Sequence, residues 1–216
     1  MKRPLILLCA LSTAFAAEKI STPIENDQVK VLNVVVQPHE KTRLHQHKVN
    51  RVMVYLNAGQ QTFEYADGKH SALTFKAGEV KWSPADGMHI AEVVSQNPVN
   101  IIEVELKKPE SGHPAAGALD PVKVDRRDYK VILENDQVRV LRVKIAPHQS
   151  SPMHQHSLNR VVVYLTDQNF RVTGADGKVE TSTHKAWEVS WGAAAKHSEQ
   201  NMSDTPFEVV VIELKD

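Results

Sequence analysis

The chain repeats itself, and the repeat limits the folds open to it more than any other feature. Residues 25–56 read ENDQVKVLNVVVQPHEKTRLHQHKVNRVMVYL, and residues 134–165 read ENDQVRVLRVKIAPHQSSPMHQHSLNRVVVYL. The segments align without a gap at an offset of 109 (134 minus 25), with 19 of 32 positions identical. The match runs on through Ala66-Asp67-Gly68-Lys69 and Ala175-Asp176-Gly177-Lys178. One deletion then moves the offset to 108, which sets His89 against His197 and Glu105-Leu106-Lys107 against Glu213-Leu214-Lys215. A duplication of this length implies two similar domains. Pro109, Gly112, Pro114, Gly117 and Pro121 fall between the copies, a linker composition. The expected division is a first domain at 17–107, a linker at 108–124 and a second domain at 125–216.

Each copy reads as strand. Val29–Val36, Arg51–Leu56, Gln61–Tyr65, Ser71–Phe75, Val80–Trp82 and Ile101–Leu106 are short runs rich in Val, Ile, Tyr, Phe and Thr. Asp67-Gly68 and Asp176-Gly177 supply residues for tight hairpins. No stretch sustains a 3.6-residue period, so the expected class is all-β, a small sandwich or barrel in each copy.

The first residues read as a secretory signal. Lys2 and Arg3 precede the apolar run Leu5 to Leu11, and Ala14-Phe15-Ala16 fits a cleavage site. A signal peptide at 1–16 predicts a periplasmic or secreted protein. The apolar run is well short of the roughly 20 residues that a membrane span needs. Removing Lys2 and Arg3, and no acid, leaves 24 basic and 26 acidic residues and a net charge of −2. Such a balance shows no footprint for nucleic acid or for an anionic membrane. Cys9, the sole cysteine, leaves with the signal, so the mature chain has no disulfide and depends on its core. Lipid attachment at Cys9 is the alternative, and Leu8 stands where a small residue would precede such a site.

Eleven histidines is a high count, and their placement is informative. His45-Gln46-His47 and His154-Gln155-His156 lie in the most similar part of the repeat. Residues two apart on a strand face the same side, so both imidazoles of each pair can reach one ion. A third histidine follows in each copy, His89 and His197.

This layout resembles the cupin superfamily, whose first motif carries His-x-His and whose second carries a further His. His45, His47 and His89 match the three histidines in the first copy, and His154, His156 and His197 match them in the second. Gly78 and Pro84 match the start of the second motif, with Trp187 and Ala193 as their counterparts. The resemblance spans nearly all of the mature chain and implies a bicupin: two tandem jelly-roll β-barrels, each with a metal site inside. It also implies a divalent metal ion, with zinc, copper, iron and manganese all open. Meeting metal outside the cytoplasm favours copper or zinc by affinity order, whereas three-histidine cupin enzymes are mainly iron or manganese oxygenases and lyases.

Two departures stand out. The metal-binding Glu of the motif is Arg51 in one copy and Arg160 in the other, and its leading Gly is His39 and His148. Arginine stays protonated and cannot ligate a metal. Parity places Arg51 on the same face as His45 and His47. One reading makes Arg51 and Arg160 catalytic-site clamps for an anionic substrate; the other makes them structural ion pairs, Arg51 with Glu92 for example. His39 and His148 follow prolines and read as surface-loop residues. Asn50 and Asn159 have the opposite parity to the histidines and read as structural, while Tyr55 and Tyr164 share the inward parity. The expected function is an exported metal-dependent enzyme of oxygenase or lyase type acting on a small molecule, with a non-catalytic metal- or ligand-binding protein as the alternative. A homodimer is a possible assembly.

Overall fold

A computed structural model describes residues 19–85, 87–109 and 117–215. The signal segment and Cys9 lie outside the described residues.

The first copy forms β1 (Lys19–Glu25), β2 (Val29–Val36), β3 (Arg51–Tyr55), β4 (Gly59–Tyr65), β5 (His70–Phe75), β6 (Glu79–Ser83), β7 (His89–Val93) and β8 (Val99–Leu106). A short helix, α1 (Pro121–Val124), precedes the second copy. That copy forms β9 (Tyr129–Glu134), β10 (Val138–Ile145), β11 (His154–His156), β12 (Arg160–Tyr164), β13 (Gln168–Gly174), β14 (Val179–His184), β15 (Val189–Gly192), β16 (Ala195–Asn201) and β17 (Phe207–Leu214).

Each copy is a jelly-roll barrel of two antiparallel sheets. The first pairs a five-stranded sheet, ordered β1-β2-β8-β3-β6, with a three-stranded sheet, β5-β4-β7. The second has the matching five strands, β9-β10-β17-β12-β15, and a four-stranded sheet, β11-β16-β13-β14. Gly68 and Gly177 take positive φ (82° and 79°) in the two Asp-Gly hairpins, as a tight turn requires. Matched hydrogen bonds from Ala85 N to Asn50 Oδ1 and from Ala194 N to Asn159 Oδ1 hold the 109 offset up to that point. The deletion therefore lies just ahead of His89 and His197.

Alternation along the five-stranded sheets builds two kinds of core. On β8, Ile101, Glu103 and Glu105 point into the barrel, while Ile102, Val104 and Leu106 point out. The outward set is not solvated. Val29, Val31, Val52, Val54, Ile102 and Val104 meet Val138, Val140, Val161, Val163, Val210 and Ile212 in one dry seam between the barrels, all twelve at 0% exposure. This explains why β3 is buried at all five positions: both of its faces are covered. At the edge of the seam, Asn50 Nδ2 donates to Gln137 Oε1 (2.6 Å), and Asn159 Nδ2 donates to Gln28 Oε1 (2.8 Å). The same bond is made in both directions, as a two-fold relation between the copies requires.

The chain entering the second barrel is tied to it. Asp120 caps α1 through Val122 N (3.1 Å) and accepts from Arg139 on β10, and Gln155 N donates to Leu119 O (2.7 Å).

Candidate metal centres

In the first barrel His45 stands before β3, outside any regular strand, and His89 opens β7. An isolated antiparallel bridge joins them: His45 N donates to His89 O (3.1 Å) and His89 N to His45 O (2.9 Å). Strand pairing therefore holds two ligands side by side, although residues 45–47 are not the strand that the His-x-His spacing predicts. His45 Nδ1 lies 2.8 Å from Arg43 O and His89 Nδ1 lies 3.2 Å from Gly87 O. A carbonyl only accepts, so these contacts put the proton on Nδ1 and leave Nε2 as the coordinating atom. His45 Nε2 and His47 Nε2 are 2.9 Å apart, and one ligand atom from each of the three histidines lies within 4.8 Å of the others.

In the second barrel the same arrangement is more deeply built. His154 pairs directly with His197 across β11 and β16. His154 Nδ1 lies 2.9 Å from Pro152 O, and His156 Nδ1 donates to Glu213 Oε1 at 2.7 Å. Both contacts orient Nε2 inward, in the manner of outer partners in metal sites. All three imidazoles are buried, with His154 at 0% exposure. His197 Nε2 is buried with no hydrogen-bond partner, and it lies 3.3 Å from Glu199 Oε1 without hydrogen-bond geometry. A buried imidazole nitrogen left unsatisfied is costly unless something else occupies its lone pair. Two ligands held at about 2.1 Å from one ion lie roughly 3.0–3.4 Å apart, so the His45–His47 spacing suits a shared cation, and the ligand atoms of His154, His156 and His197 also converge to within 4.8 Å of one another.

Electrostatics favours the neutral, metal-binding form of His47, His154 and His156. Burial first, and then the neighbouring Arg51, holds His47 down to about 3. Burial also holds His154 down to about 4, with Glu199 opposing it. The shift of Glu199 runs below the ordinary carboxylate range: burial opposes ionisation, and the adjacent imidazoles, His197 foremost, outweigh it.

The two arginines share a position and differ in surroundings. Arg51 lines a cavity of about 360 Å³ together with the three histidines, Tyr55 and Glu103. Its Nη1 donates to Glu103 Oε2 (3.0 Å) and its Nη2 to Ser83 Oγ (2.8 Å), with both charged groups buried. The partner is thus Glu103, and Glu92 pairs instead with Lys41 at the surface (3.2 Å). Arg160 lines a second cavity, of about 210 Å³, with His156, His197, Tyr164 and Glu199. Val211 replaces Glu103 there and Gly192 replaces Ser83, and Arg160 Nη1 donates to the backbone Ala193 O (2.5 Å).

Several interior groups went unseen in the sequence. Glu103 and Glu213 sit on the inward parity of β8 and β17, and Glu199 lies two residues beyond His197 on the same face, so the alternation itself was the available signal. Tyr129 OH approaches His154 Nε2 and Glu199 Oε2, each at 3.4 Å. Asn50 and Asn159 bind across the barrel interface, away from the histidines. His39 and His148 are exposed and take φ of 61° and 58°, and Trp187 takes 76° opposite Gly78 at 73°. All three side chains occupy left-handed positions at which the cupin motifs carry glycine.

No protein-family model matches the sequence, and no curated protein matches it. Among solved structures, a single-site variant of oxalate decarboxylase from Bacillus subtilis superposes with a TM-score of 0.63 at 14% identity, over 92% of this chain and 73% of that one. A further structure of that enzyme, concerned with its Mn(II) centres, gives 0.62 at 13% identity over 88% and 70%. AerE from Microcystis aeruginosa gives 0.63 at 12% identity, over 93% of this chain and 98% of that one. At such identities the likeness is one of fold alone: two jelly-roll barrels in tandem, arranged as in these structures.

Proposed function

We propose that the chain is an exported, metal-dependent bicupin enzyme that performs oxygenase-type or lyase-type chemistry on a small anionic substrate. The observation that carries this reading is the buried His197 Nε2, which has no hydrogen-bond partner and stands among converging imidazole nitrogens. A divalent ion bound there would supply Lewis acidity or oxygen activation. His45, His47 and His89 would hold one such ion, and His154, His156 and His197 another.

The chain's own residues then divide the work. Arg160, with no carboxylate in direct contact among the described residues, is the clamp for a substrate carboxylate. Tyr164, whose hydroxyl lies 3.0 Å from Ser190 Oγ, walls the same cavity. Arg51 has Glu103 as its counter-ion and serves the first barrel as a structural cation. Support for a small carboxylate also comes from the oxalate decarboxylase structures, whose fold is shared. Export rests on the basic, apolar and Ala-x-Ala pattern of residues 1–16.

Elemental analysis of protein isolated from its native compartment, beside His45→Ala, His154→Ala and the double variant, tests the metal. Two ions per chain should fall to one in each single variant and to none in the double. Substoichiometric metal in every sample would overturn the reading. Oxygen uptake and carbon dioxide release, screened over oxalate and other small carboxylates, test catalysis. Retained metal with no turnover would make the protein a binding module.

A further inference from the structure

Arginine at the position of the usual cupin ligand leaves each triad one carboxylate short, and the second barrel holds a carboxylate elsewhere. We propose that Glu199, on β16, is the fourth metal ligand of the second barrel, so that the two barrels carry unlike centres: three histidines and a glutamate in the second, three histidines alone in the first. This rests on the metal-centred reading above.

Glu199 Oε1 lies 3.3 Å from His197 Nε2 without hydrogen-bond geometry. A carboxylate and a buried imidazole nitrogen at that spacing, in ion-pair contact but off hydrogen-bond geometry, have the separation of two ligands on one ion. Glu199 Oε2 lies 3.4 Å from Tyr129 OH, which itself lies 3.4 Å from His154 Nε2, so the carboxylate spans the side of the triad between two of its members. Its backbone is fixed as well, since Glu199 N donates to Ser151 Oγ (3.0 Å) and Ser151 N to Glu199 O (2.8 Å). Parity explains how the residue gets there: on β16 it stands two places from His197 and shares its face.

Among the described residues the first barrel has no counterpart at this position. At the 108 offset the matching residue is Ala91, and the carboxylate that lines its cavity, Glu103, is bonded to Arg51 instead. Arg160 sits in the same cavity as Glu199 without closing on it within salt-bridge distance among the described residues. One residue of opposite charge therefore offsets the glutamate in the field of the site while leaving its oxygens available.

The test uses His45→Ala/His89→Ala protein, in which the first barrel is silenced, stripped of metal and titrated with Co(II) alone. Competition with a chromophoric chelator reads affinity, and the ligand-field bands read coordination. Glu199→Ala should weaken Co(II) binding by more than the roughly 10- to 100-fold that loss of an outer-shell partner costs, and should change the bands. His197→Ala should abolish uptake. In the reciprocal background, His154→Ala/His197→Ala, the substitution Ala91→Glu should tighten the first barrel. Co(II) affinity within twofold of the parent and unchanged bands in Glu199→Ala, with its urea midpoint intact, would overturn the inference alone. No Co(II) uptake by the silenced parent would overturn the metal-centred reading and this inference with it.

Discussion

Replacing Glu103 by valine would give the first barrel the residue that the second carries at the matching position, Val211. The Arg51–Glu103 pair is 3.0 Å long, with its side chains 6% and 9% exposed. Removing one partner of such a pair leaves a charge that keeps its desolvation penalty without its counter-ion, a loss of about 3–5 kcal/mol. Ser83 Oγ still accepts from Arg51, so Glu103→Val belongs at the lower end, about 3 kcal/mol. Arg51→Met leaves the glutamate buried and costs about the same. The double substitution removes both charges and recovers most of the loss, giving a coupling of more than about 2 kcal/mol. Arg160→Met strands no directly bonded carboxylate and changes stability by no more than about 1 kcal/mol. Urea unfolding of the metal-free proteins, followed by far-ultraviolet circular dichroism, supplies all the values. Equal costs for Arg51→Met and Arg160→Met, or a coupling near zero in the cycle, would refute the assignment of one arginine to structure and the other to ligand.

Other outcomes follow from the same geometry. Trp187→Gly should raise stability by roughly 0.5–1 kcal/mol in thermal melts, because it removes a side chain from a left-handed position (φ 76°) where it is 44% exposed. Asn50→Ala should cost about 1–3 kcal/mol by removing the donor to Gln137 Oε1 and the acceptor of Ala85 N; Asn159→Ala, which removes the donor to Gln28 Oε1 and the acceptor of Ala194 N, should cost the same, and urea midpoints measure both. The folded-state value of His154, about 4, lies below the roughly 6.5 of an unfolded histidine. Over that window the unfolded chain binds the proton and the folded chain does not, so metal-free protein loses stability as pH falls from about 6.5 towards 4. The loss from this residue is roughly 2 kcal/mol by pH 5, and His154→Phe should remove it from urea curves taken at about pH 7 and pH 5.

The strands with clear alternation were legible in the sequence: β2 has the expected bounds, Val29–Val36, and β3 to β6 and β8 lie within a residue or two of theirs. β1 was not legible, because it carries Pro23, leaves nearly every side chain exposed and sits at a sheet edge, hydrogen-bonded on one side to β2. The histidine triads were visible because repetition and parity coincide. Their surroundings were not, since which carboxylate meets Arg51 depends on pairing register. Glu103 reaches it from β8, two strand positions along from the residue directly opposite, Glu105. The outward face of β3 was hidden for another reason: an unbroken apolar run gives no sign of which side meets the barrel and which meets the other copy.

The dry seam between the barrels bears on the history of the chain. A lone barrel would display Val29, Val31, Val52, Val54, Ile102 and Val104 on an open face, an adhesive surface that a second copy of itself fits by symmetry. Fusion through residues 108–124 would have turned a dilution-sensitive partnership into a permanent one, at an effective concentration that no cell dilution can lower. Fusion also ends the rule that every mutation appears on both sides of the axis. Val211 could then depart from Glu103, and Glu199 from Ala91, while the valines between them kept both halves in place. The seam thus holds together two barrels whose interiors differ.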